Sequence, residues 1–454
     1  MTDSKFLIHD IDQAINYLFP INRSLTGEGN RKTLDYLQKK YLHDCQIKNI
    51  PSRTSIFDWH VPPEWNVKDA YVKNKYGKKI IDFNANNLHL MSCSEPFSGV
   101  LSREELLKKL HTLPNFPEWI PYRTSYYSRD WGFCCAHNLL ESDEFEEPFE
   151  VKIDSEFNEE GELIWLEAFK QGKTDDEILI SSYFCHPSLA NDNLSGFVAA
   201  TFLFKYLQSV ETKFSYRLVI VPETIGAIAF LSQADTEKIV GGMVLSCVGG
   251  PGKLSIKEGF DASHWINQAA HYALNTYTDG EYLTYPFMPD GSDERQYSTP
   301  AFRIVTPSIH KSKYYEYDQY HTSADNLSFI SSHYIQQSLD VYLLWINNIE
   351  TYSKPIRKMG SCEYQLGKRD LYPSVGGTLN QLTHKENEHG YQKRMFDFDQ
   401  PIEVNGNHLE AFHWLMHLAD GNHTNFEIAS RSKIDLSTIN EAIELFHKKD
   451  LIGV

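Results

Sequence analysis

The sequence lacks the features that mark disulfide-stabilised, secreted or membrane proteins. Its seven cysteines are an odd number and include no CxxC pair, which argues against a disulfide framework and against a thiolate zinc site. No apolar run is long enough to span a bilayer, and the first residues show no basic segment followed by an apolar one. We therefore expect a cytoplasmic protein without a membrane partner.

Positive charge is also scarce in this chain. The 43 basic residues are outnumbered by 61 acidic residues, which leaves a formal net charge of −18. A field of this sign repels nucleic acids and anionic lipid surfaces, so we expect neither as a partner of the whole molecule. The length of 454 residues is enough for two or three domains, each with its own core.

The middle of the chain alternates between apolar runs and a helical segment. The helical segment covers Ser195–Leu207, and the near-continuous apolar runs are Glu177–Phe184, Tyr216–Val221, Gly242–Val248 and Ala301–Val305. Buried strands that alternate with helices predict an α/β fold with a central mixed sheet flanked by helices. In such sheets the chemistry lies at the carboxyl ends of the strands.

Changes in composition divide the chain into three parts. Residues 1–57 and 156–352 are predicted to form the main domain. Residues 58–155 are rich in proline, aromatic residues and short alternating runs, which indicates a small inserted β-rich domain. The glycine-rich linker Pro373–Gly377 leads into residues 375–454, where the spacing of three short helices predicts a winged helix-turn-helix domain.

The predicted winged helix suggests DNA binding, but its charge argues against that role. From Gly406 to Val454 there are four basic and seven acidic side chains. DNA-binding modules carry a basic face that neutralises phosphates. We therefore expect this domain to contact protein, either its own chain or a second copy in a homo-oligomer.

Polar side chains follow two of the apolar runs, where the strands should end. His186 and Asp192 follow the first run, and Glu223 follows the second. Zinc favours histidine nitrogen and carboxylate oxygen, and catalytic zinc sites use three protein ligands and a water. Taken alone, an Asp-Asn pair that opens a helix, as at Asp192, is more often an N-cap than a metal ligand.

A later polar and aromatic loop adds the third candidate ligand. The loop contains His321, with Asp325 close enough in sequence to orient its ring and Tyr320 as a candidate substrate-binding wall. Each residue by itself is explained by an ordinary surface role. Together they fall where an α/β hydrolase needs them.

Four motifs in this order resemble those of the zinc aminopeptidases related to bacterial leucyl aminopeptidase and glutaminyl cyclase. Leu189–Gly196 resembles their bridging-aspartate motif, and Pro222–Gly226 resembles their strand-end Glu-Glu-x-Gly. Tyr320–Asp325 resembles their Tyr-His-Thr-x-x-Asp, and Met288–Asp293 resembles their Ser-Asp substrate loop. The three-part layout is further similar to a bacterial branch of aminopeptidase-like proteins linked to polysaccharide biosynthesis.

The resemblance implies a zinc-dependent hydrolase of a small peptide or other amide. It makes His186 and His321 metal ligands, Asp192 the carboxylate between two metals, and Glu223 the general base that takes a proton from water. A cationic substrate amine would be held by Asp290 or Asp293, for which an Asp-Gly turn is the structural alternative.

Two departures from the family pattern reduce the expected number of metals. The second glutamate of the family is Thr224 here, and the aspartate expected after the next strand is absent from Ser246–Gly249. We therefore expect one zinc, although a second is possible. Cys247 is an alternative soft ligand, but packing is the commoner role of a buried strand cysteine.

The same departures motivate an alternative hypothesis. A non-catalytic or single-metal protein could use this scaffold only to bind a ligand. Glu223 favours the enzyme, because a protein that only binds has no need of a general base.

Overall fold

Strands and helices alternate along the described part of the chain, which in this computed structural model comprises residues 4–369, 371, 382–386, 392–396 and 406–454. The chain divides into two compact units, Met1–Ile346 and Asn347–Val454. Across the described residues, no helix has the length and apolar character needed to cross a membrane.

The strands share the extended conformation and are numbered in chain order. They are β1 (Gln46–Pro51), β2 (Ser55–Ile56), β3 (Trp59–His60), β4 (Glu64–Lys73), β5 (Lys79–Asp82), β6 (Phe97–Leu101), β7 (Leu110–His111), β8 (Phe133–Cys134), β9 (Phe149–Asn158), β10 (Glu162–Lys170), β11 (Glu177–Tyr183), β12 (Ser215–Val221), β13 (Ile239–Leu245), β14 (Leu254–Lys257), β15 (Leu283–Tyr285), β16 (Ser308–Lys311), β17 (Ile356–Arg357), β18 (Leu382–Glu386), β19 (Gln392–Phe396) and β20 (Ile452–Gly453).

The α-helices are numbered in the same way. They are α1 (Ser4–Leu18), α2 (Glu28–Lys40), α3 (Arg103–Leu107), α4 (Gly196–Gln208), α5 (Ile225–Gln233), α6 (Trp265–Thr278), α7 (Glu294–Tyr297), α8 (Ser332–Glu350), α9 (Gly406–Leu418), α10 (Asn425–Ser432) and α11 (Leu436–Lys448).

An eight-stranded mixed sheet forms the centre of the first unit. Its order is β1-β10-β12-β11-β13-β16-β14-β15. The central strands β12, β11, β13 and β16 are parallel, whereas β10 and β14 run antiparallel to their neighbours β12 and β16. Helices such as α4 and α5 pack on these strands. The α/β fold with a central mixed sheet flanked by helices is therefore confirmed.

The apolar runs predict three of the central strands and fail at the fourth. Strand β11 is buried along its whole length, as a strand covered on both faces must be. The run Ala301–Val305 is not a strand. It lies between two prolines and contains Arg303 at a φ of 54°, which breaks the extended conformation, so that the strand forms only at Ser308.

A second sheet occupies the segment for which the sequence predicts an inserted domain. It has four strands in the order β5-β4-β9-β6, all antiparallel. Its core is separate in composition from that of the main sheet and includes Val72, Phe133, Phe149 and Val151.

The second unit contains the three helices that the spacing predicts at the carboxyl end. They are α9, α10 and α11, and β17 pairs with β20 beside them. Thr424 is the N-cap of α10 and forms a capping box with Glu427. The Thr424 hydroxyl accepts from the Glu427 backbone N–H, and the Glu427 carboxylate accepts from the Thr424 backbone N–H. Asp435 precedes α11, but its side chain makes no capping bond. The predicted linker Pro373–Gly377 lies outside the described residues.

Candidate metal site and cleft

Two asparagines fix the loop that follows β11. The Asn193 amide donates to the Tyr183 carbonyl at 3.0 Å and accepts from the Cys247 backbone N–H at 3.1 Å, which joins the ends of β11 and β13. The Asn191 side chain accepts from the Gly249 N–H at 2.9 Å. Because these bonds fix both sides of Asp192, its carboxylate is held at the carboxyl edge of the sheet.

Asp192 has two oxygens in different situations. Oδ1 accepts a hydrogen bond of 2.5 Å from the Tyr183 hydroxyl. Oδ2 is buried and has no hydrogen-bond partner among the described residues. It lies 2.9 Å from His321 Nε2 and 4.0 Å from His186 Nε2. One carboxylate oxygen therefore faces two imidazole nitrogens.

This arrangement has the chemistry of a metal site. The ligand atoms of His186, Asp192 and His321 all lie within 4.8 Å of one another. His321 Nε2 is, like Asp192 Oδ2, buried and without a hydrogen-bond partner among the described residues. Unpaired buried polar atoms are costly unless something satisfies them, and a divalent metal ion would satisfy both.

The protonation states suit metal binding. Burial lowers the pKa of His186 to about 4, so its ring is neutral near pH 7 and has a lone pair to offer. Burial raises the pKa of Asp192, but His186, His321 and the Tyr183 hydroxyl outweigh it and hold that pKa at about 2. Metal ligands must be deprotonated, and both residues are.

Asp325 has a different role from the one that the sequence predicts. Its Oδ1 accepts from the Asn191 N–H at 2.6 Å and its Oδ2 from the Asp192 N–H at 3.0 Å, so it does not orient the ring of His321. Asp325 therefore acts on the loop that carries Asp192. Burial raises the pKa of Asp325 to about 7.

Aromatic rings hold His321 in place. The Tyr320 ring stacks on the His321 ring with centroids 3.9 Å apart, and the Tyr122 ring meets it edge-on at 5.1 Å. Tyr122 also donates its backbone N–H to the His321 carbonyl at 2.8 Å. Tyr320 therefore supports a candidate ligand, and the substrate contact predicted for it from the sequence stays a prediction.

Glu223 lies beside the three candidate ligands. It follows β12 by two residues, and its Oε2 is 3.9 Å from His186 Nε2. Burial, the Asp293 charge and the Asp192 charge raise the pKa of Glu223 well above its usual value. The next residue, Thr224, has a φ of 65°, which is strained for a β-branched residue and turns the chain sharply after Glu223.

The two aspartates predicted to bind a substrate amine are differently placed. Asp293 is fully buried, and its Oδ1 accepts from the Thr224 N–H at 2.7 Å. Burial raises the pKa of Asp293 to about 7. Asp290 is exposed, and its carboxylate lies 3.8 Å from Lys257 Nζ. Neither carboxylate is free to bind a substrate amine. That of Asp293 is buried and accepts a backbone hydrogen bond, and that of Asp290 lies beside Lys257.

Cys247 lies near the site without joining the group of candidate ligands. Its Sγ is 3.8 Å from Asp192 Oδ1, which is the oxygen held by Tyr183 and not the unpaired one. Among the described residues, the group of converging metal-ligand atoms consists of His186, Asp192 and His321.

A cleft of about 310 Å³ opens beside Glu223. Its wall is made by half-exposed aromatic side chains of the inserted segment together with residues of loops and helices beside the main sheet, namely Leu25, Trp59, Tyr126, Tyr127, Glu223, Thr224, Ile225 and Arg295. The aromatic segments near Trp59 and Tyr126 thus face the cleft.

Sequence reasoning missed Tyr183 and Arg295. Tyr183 is the last residue of β11, and Arg295 is two residues after Asp293. Their positions beside recognised motifs are the only indication that the sequence contains.

Comparison with known proteins identifies the family to which this chain belongs. The family model described as domain of unknown function 4910 (DUF4910) matches residues 12–352. A protein of Clostridium acetobutylicum is 38% identical over 446 residues, which cover 98% of this chain and 96% of the relative. Its description, a polysaccharide biosynthesis protein with an aminopeptidase-like domain, is a provisional one.

Solved structures show the same relationship. A candidate peptidase from Clostridium acetobutylicum has a TM-score of 0.84 and 36% identity, covering 99% of this chain and 97% of that one. A zinc aminopeptidase from Bacillus subtilis has a TM-score of 0.54 and 12% identity, covering 76% of this chain and 94% of that one. The second likeness is one of fold.

Proposed function

Because the chain belongs to the DUF4910 family and has an aminopeptidase-like fold, we propose that it is a zinc-dependent hydrolase that cleaves an amide bond. One observation carries the proposal. Asp192 Oδ2 and His321 Nε2 are buried, 2.9 Å apart and without hydrogen-bond partners among the described residues, with Glu223 next to them.

Each residue of the site has a separate task. His186, Asp192 and His321 hold the zinc, which when bound polarises a carbonyl and lowers the pKa of water. Glu223 accepts a proton from the attacking water and returns it to the leaving amine, since it lies next to the ligands at the mouth of the cleft. The aromatic wall excludes water around a bound amide.

We propose one zinc per chain. Asp192 Oδ1 is held by Tyr183, which leaves Asp192 a single free oxygen and disfavours a bridge between two metals. Where the zinc aminopeptidase motifs carry further carboxylates, this chain has Thr224 and the segment Ser246–Gly249. Three ligands with an open position for water are the usual set for one catalytic zinc.

Metal content and the base are tested on the full chain. Protein purified without chelator should contain about one zinc per chain, as measured by plasma emission spectrometry. Glu223→Gln should retain the zinc and lower turnover of an amide panel by about 10²- to 10⁴-fold, the usual contribution of a positioned acid-base group. The panel should contain aminoacyl and N-acyl anilides.

The matched control is Glu281→Gln, which changes an exposed carboxylate outside the cleft. It should have wild-type zinc content and turnover. A zinc-free protein would contradict the proposed metal site. Zinc binding without turnover of any amide would favour the alternative, a single-metal binding protein on this scaffold.

For the second unit we propose protein contact instead of DNA binding. Its helices carry few basic side chains, and without them the release of counterions contributes little to DNA affinity. Fluorescence polarisation with mixed duplex DNA at physiological salt should show no binding. Salt-sensitive binding would contradict this proposal.

A further inference from the structure

Arg295 is the cation of the cleft that holds Glu223. It follows Glu294 in α7 and contributes to the same wall as Thr224 and the half-exposed rings of Trp59 and Tyr127. The side chain is half-buried, so part of the guanidinium is out of bulk water while still facing the cleft.

The guanidinium of Arg295 has hydrogen-bond donors without partners in the part of the chain that the structure describes. Its Nη2 donates to Thr224 Oγ1 at 2.8 Å, whereas its Nε is buried and has no partner among the described residues. Within the described part of the chain, no carboxylate lies within ion-pair distance of Arg295. Four other arginines of this unit do have such partners, namely Arg31 with Glu64, Arg53 with Glu159, Arg129 with Glu159 and Arg217 with Glu177. Arg23, Arg103, Arg123 and Arg303 have none among the described residues, but they do not line this cleft.

Arg23 shows how the fold treats an arginine with a purely internal role. It is fully buried, and it donates to the carbonyls of Leu18 and His186. Arg295 instead faces a cavity and is bonded to a single neutral hydroxyl. A guanidinium has five donors in a planar fork that matches a carboxylate with two parallel hydrogen bonds. Among the described residues, the donors of Arg295 therefore lack a carboxylate that matches the planar fork.

Thr224 explains why the charge is available. The related zinc aminopeptidases have a glutamate at this position of the motif, whereas this chain has a hydroxyl 2.8 Å from Arg295 Nη2. Threonine gives Arg295 a neutral hydrogen-bond partner. Among the described residues, the charges of Glu223 and Asp293 act on Arg295 through space without a direct contact, so its donors remain open to an acceptor that enters the cleft.

We propose that Arg295 binds a carboxylate of the substrate, so that the amides cleaved by this protein are those of acidic compounds. The inference rests on the proposed hydrolase function and names its substrate class. The carboxylate would bind at the Arg295 wall, the apolar part would pack on Trp59 and Tyr127, and the amide would lie at Glu223. The protein would then select its substrate by a negative charge, whereas the sequence motifs suggest selection of a cationic amine.

Binding of two probes of nearly equal shape tests the inference. Hippurate has an amide, a ring and a carboxylate, and hippuramide replaces the carboxylate with a neutral amide. Isothermal titration of the full chain, as purified and after chelation, should show hippurate binding about tenfold tighter or more, as expected for hydrogen bonds to a charged group. The chelated sample removes any contribution from carboxylate binding to metal.

Variants assign the preference to one residue. Arg295→Gln should abolish the preference for hippurate, and Arg295→Lys should keep part of it, because the charge remains without the planar fork. The control Arg129→Gln removes a cation that is already paired with Glu159 and should leave the preference unchanged. Thermal melting should show that each variant is folded.

Three results would overturn the inference. They are equal affinity of the wild type for both probes, no binding of hippurate, and a preference that Arg295→Gln retains. In the last case Arg295 serves only to offset Glu223 and Asp293. Because binding to chelated protein needs neither zinc nor turnover, failure of the proposed hydrolase leaves this result standing, and the reverse also holds.

Discussion

Two buried polar clusters lie in the same unit, and they use their charges in opposite ways. The ligand cluster consists of His186, Asp192 and His321. The ion-pair cluster consists of Lys257, Glu294 and Tyr314, in which Lys257 Nζ is 2.6 Å from Glu294 Oε1 and the Tyr314 hydroxyl donates to the same oxygen at 3.0 Å.

The difference lies in whether the unpaired atoms converge. In the ion-pair cluster a cation and an anion neutralise each other. Glu294 Oε2 and both ring nitrogens of the nearby His310 are also buried without hydrogen-bond partners among the described residues, but they belong to no group of converging ligand atoms. In the ligand cluster, two unpaired atoms point at each other from different loops. Burial of titratable groups therefore does not identify a site by itself, whereas convergence of unpaired ligand atoms does.

Removing the central ligand should produce the largest effect. Asp192→Ala should reduce zinc from about one per chain to near zero, because two histidines fall short of the usual three ligands. Metal content after gel filtration measures it. The control Asp290→Ala changes an exposed carboxylate and should keep its zinc. Zinc retained by Asp192→Ala would mean that the metal lies elsewhere.

Breaking the ion-pair cluster should affect stability and leave the metal in place. Glu294→Gln leaves Lys257 buried and poorly paired, and such losses cost about 3–5 kcal/mol of unfolding free energy. Urea unfolding measures the loss. The double variant Glu294→Gln, Lys257→Met should recover much of it. Loss of zinc in Glu294→Gln would show that the two clusters are coupled.

A smaller effect is expected from the tyrosine behind Asp192. Tyr183→Phe removes the hydrogen bond to Oδ1 and leaves the three ligands in place. Partners of this kind are worth about 10- to 100-fold in metal affinity. Competition with a chelating dye measures the change, with Tyr127→Phe in the cleft wall as the control. Unchanged affinity would mean that the loop alone orients Asp192.

The smallest effect concerns pH and His310. Burial, followed by the charges of Lys313 and Lys257, holds the pKa of His310 well below its usual 6.5. As the pH falls below 6.5 the unfolded chain binds a proton that the folded chain does not. The unfolding free energy should then fall by up to about 1.4 kcal/mol per pH unit from this residue.

Replacing His310 tests its contribution to the pH dependence of the unfolding free energy. His310→Leu should lower the slope of unfolding free energy against pH below 6.5, measured by urea unfolding in the presence of chelator. The exposed His43→Gln should leave the slope as it is in the wild type. An unchanged slope in His310→Leu would mean that His310 is protonated in the folded chain as readily as in the unfolded one.

The sequence predicts the fold and the meeting point of the candidate ligands for a physical reason. His186 and Glu223 follow buried apolar strands, and parallel neighbours bring their carboxyl ends to one edge. The run Ala301–Val305 misleads because apolar composition cannot reveal the break at Arg303.

The remaining features depend on partners that are distant in sequence. Spacing suggests Asp325 as a support for His321, but the carboxylate meets the backbone of Asn191 and Asp192 instead. The role of Arg295 follows from the hydroxyl of Thr224, and no pattern in the sequence pairs these two residues. Side-chain direction and pairing are therefore what sequence reasoning leaves out.

The candidate ligands come from two loops that are far apart in the chain, and this has a practical use. A metal that joins them binds the folded state and has no comparable site in the unfolded one. At a free concentration about 1,000 times its Kd, it would add about 4 kcal/mol to the unfolding free energy. The melting temperature should then rank candidate metals by their affinity for the folded chain before any substrate is known.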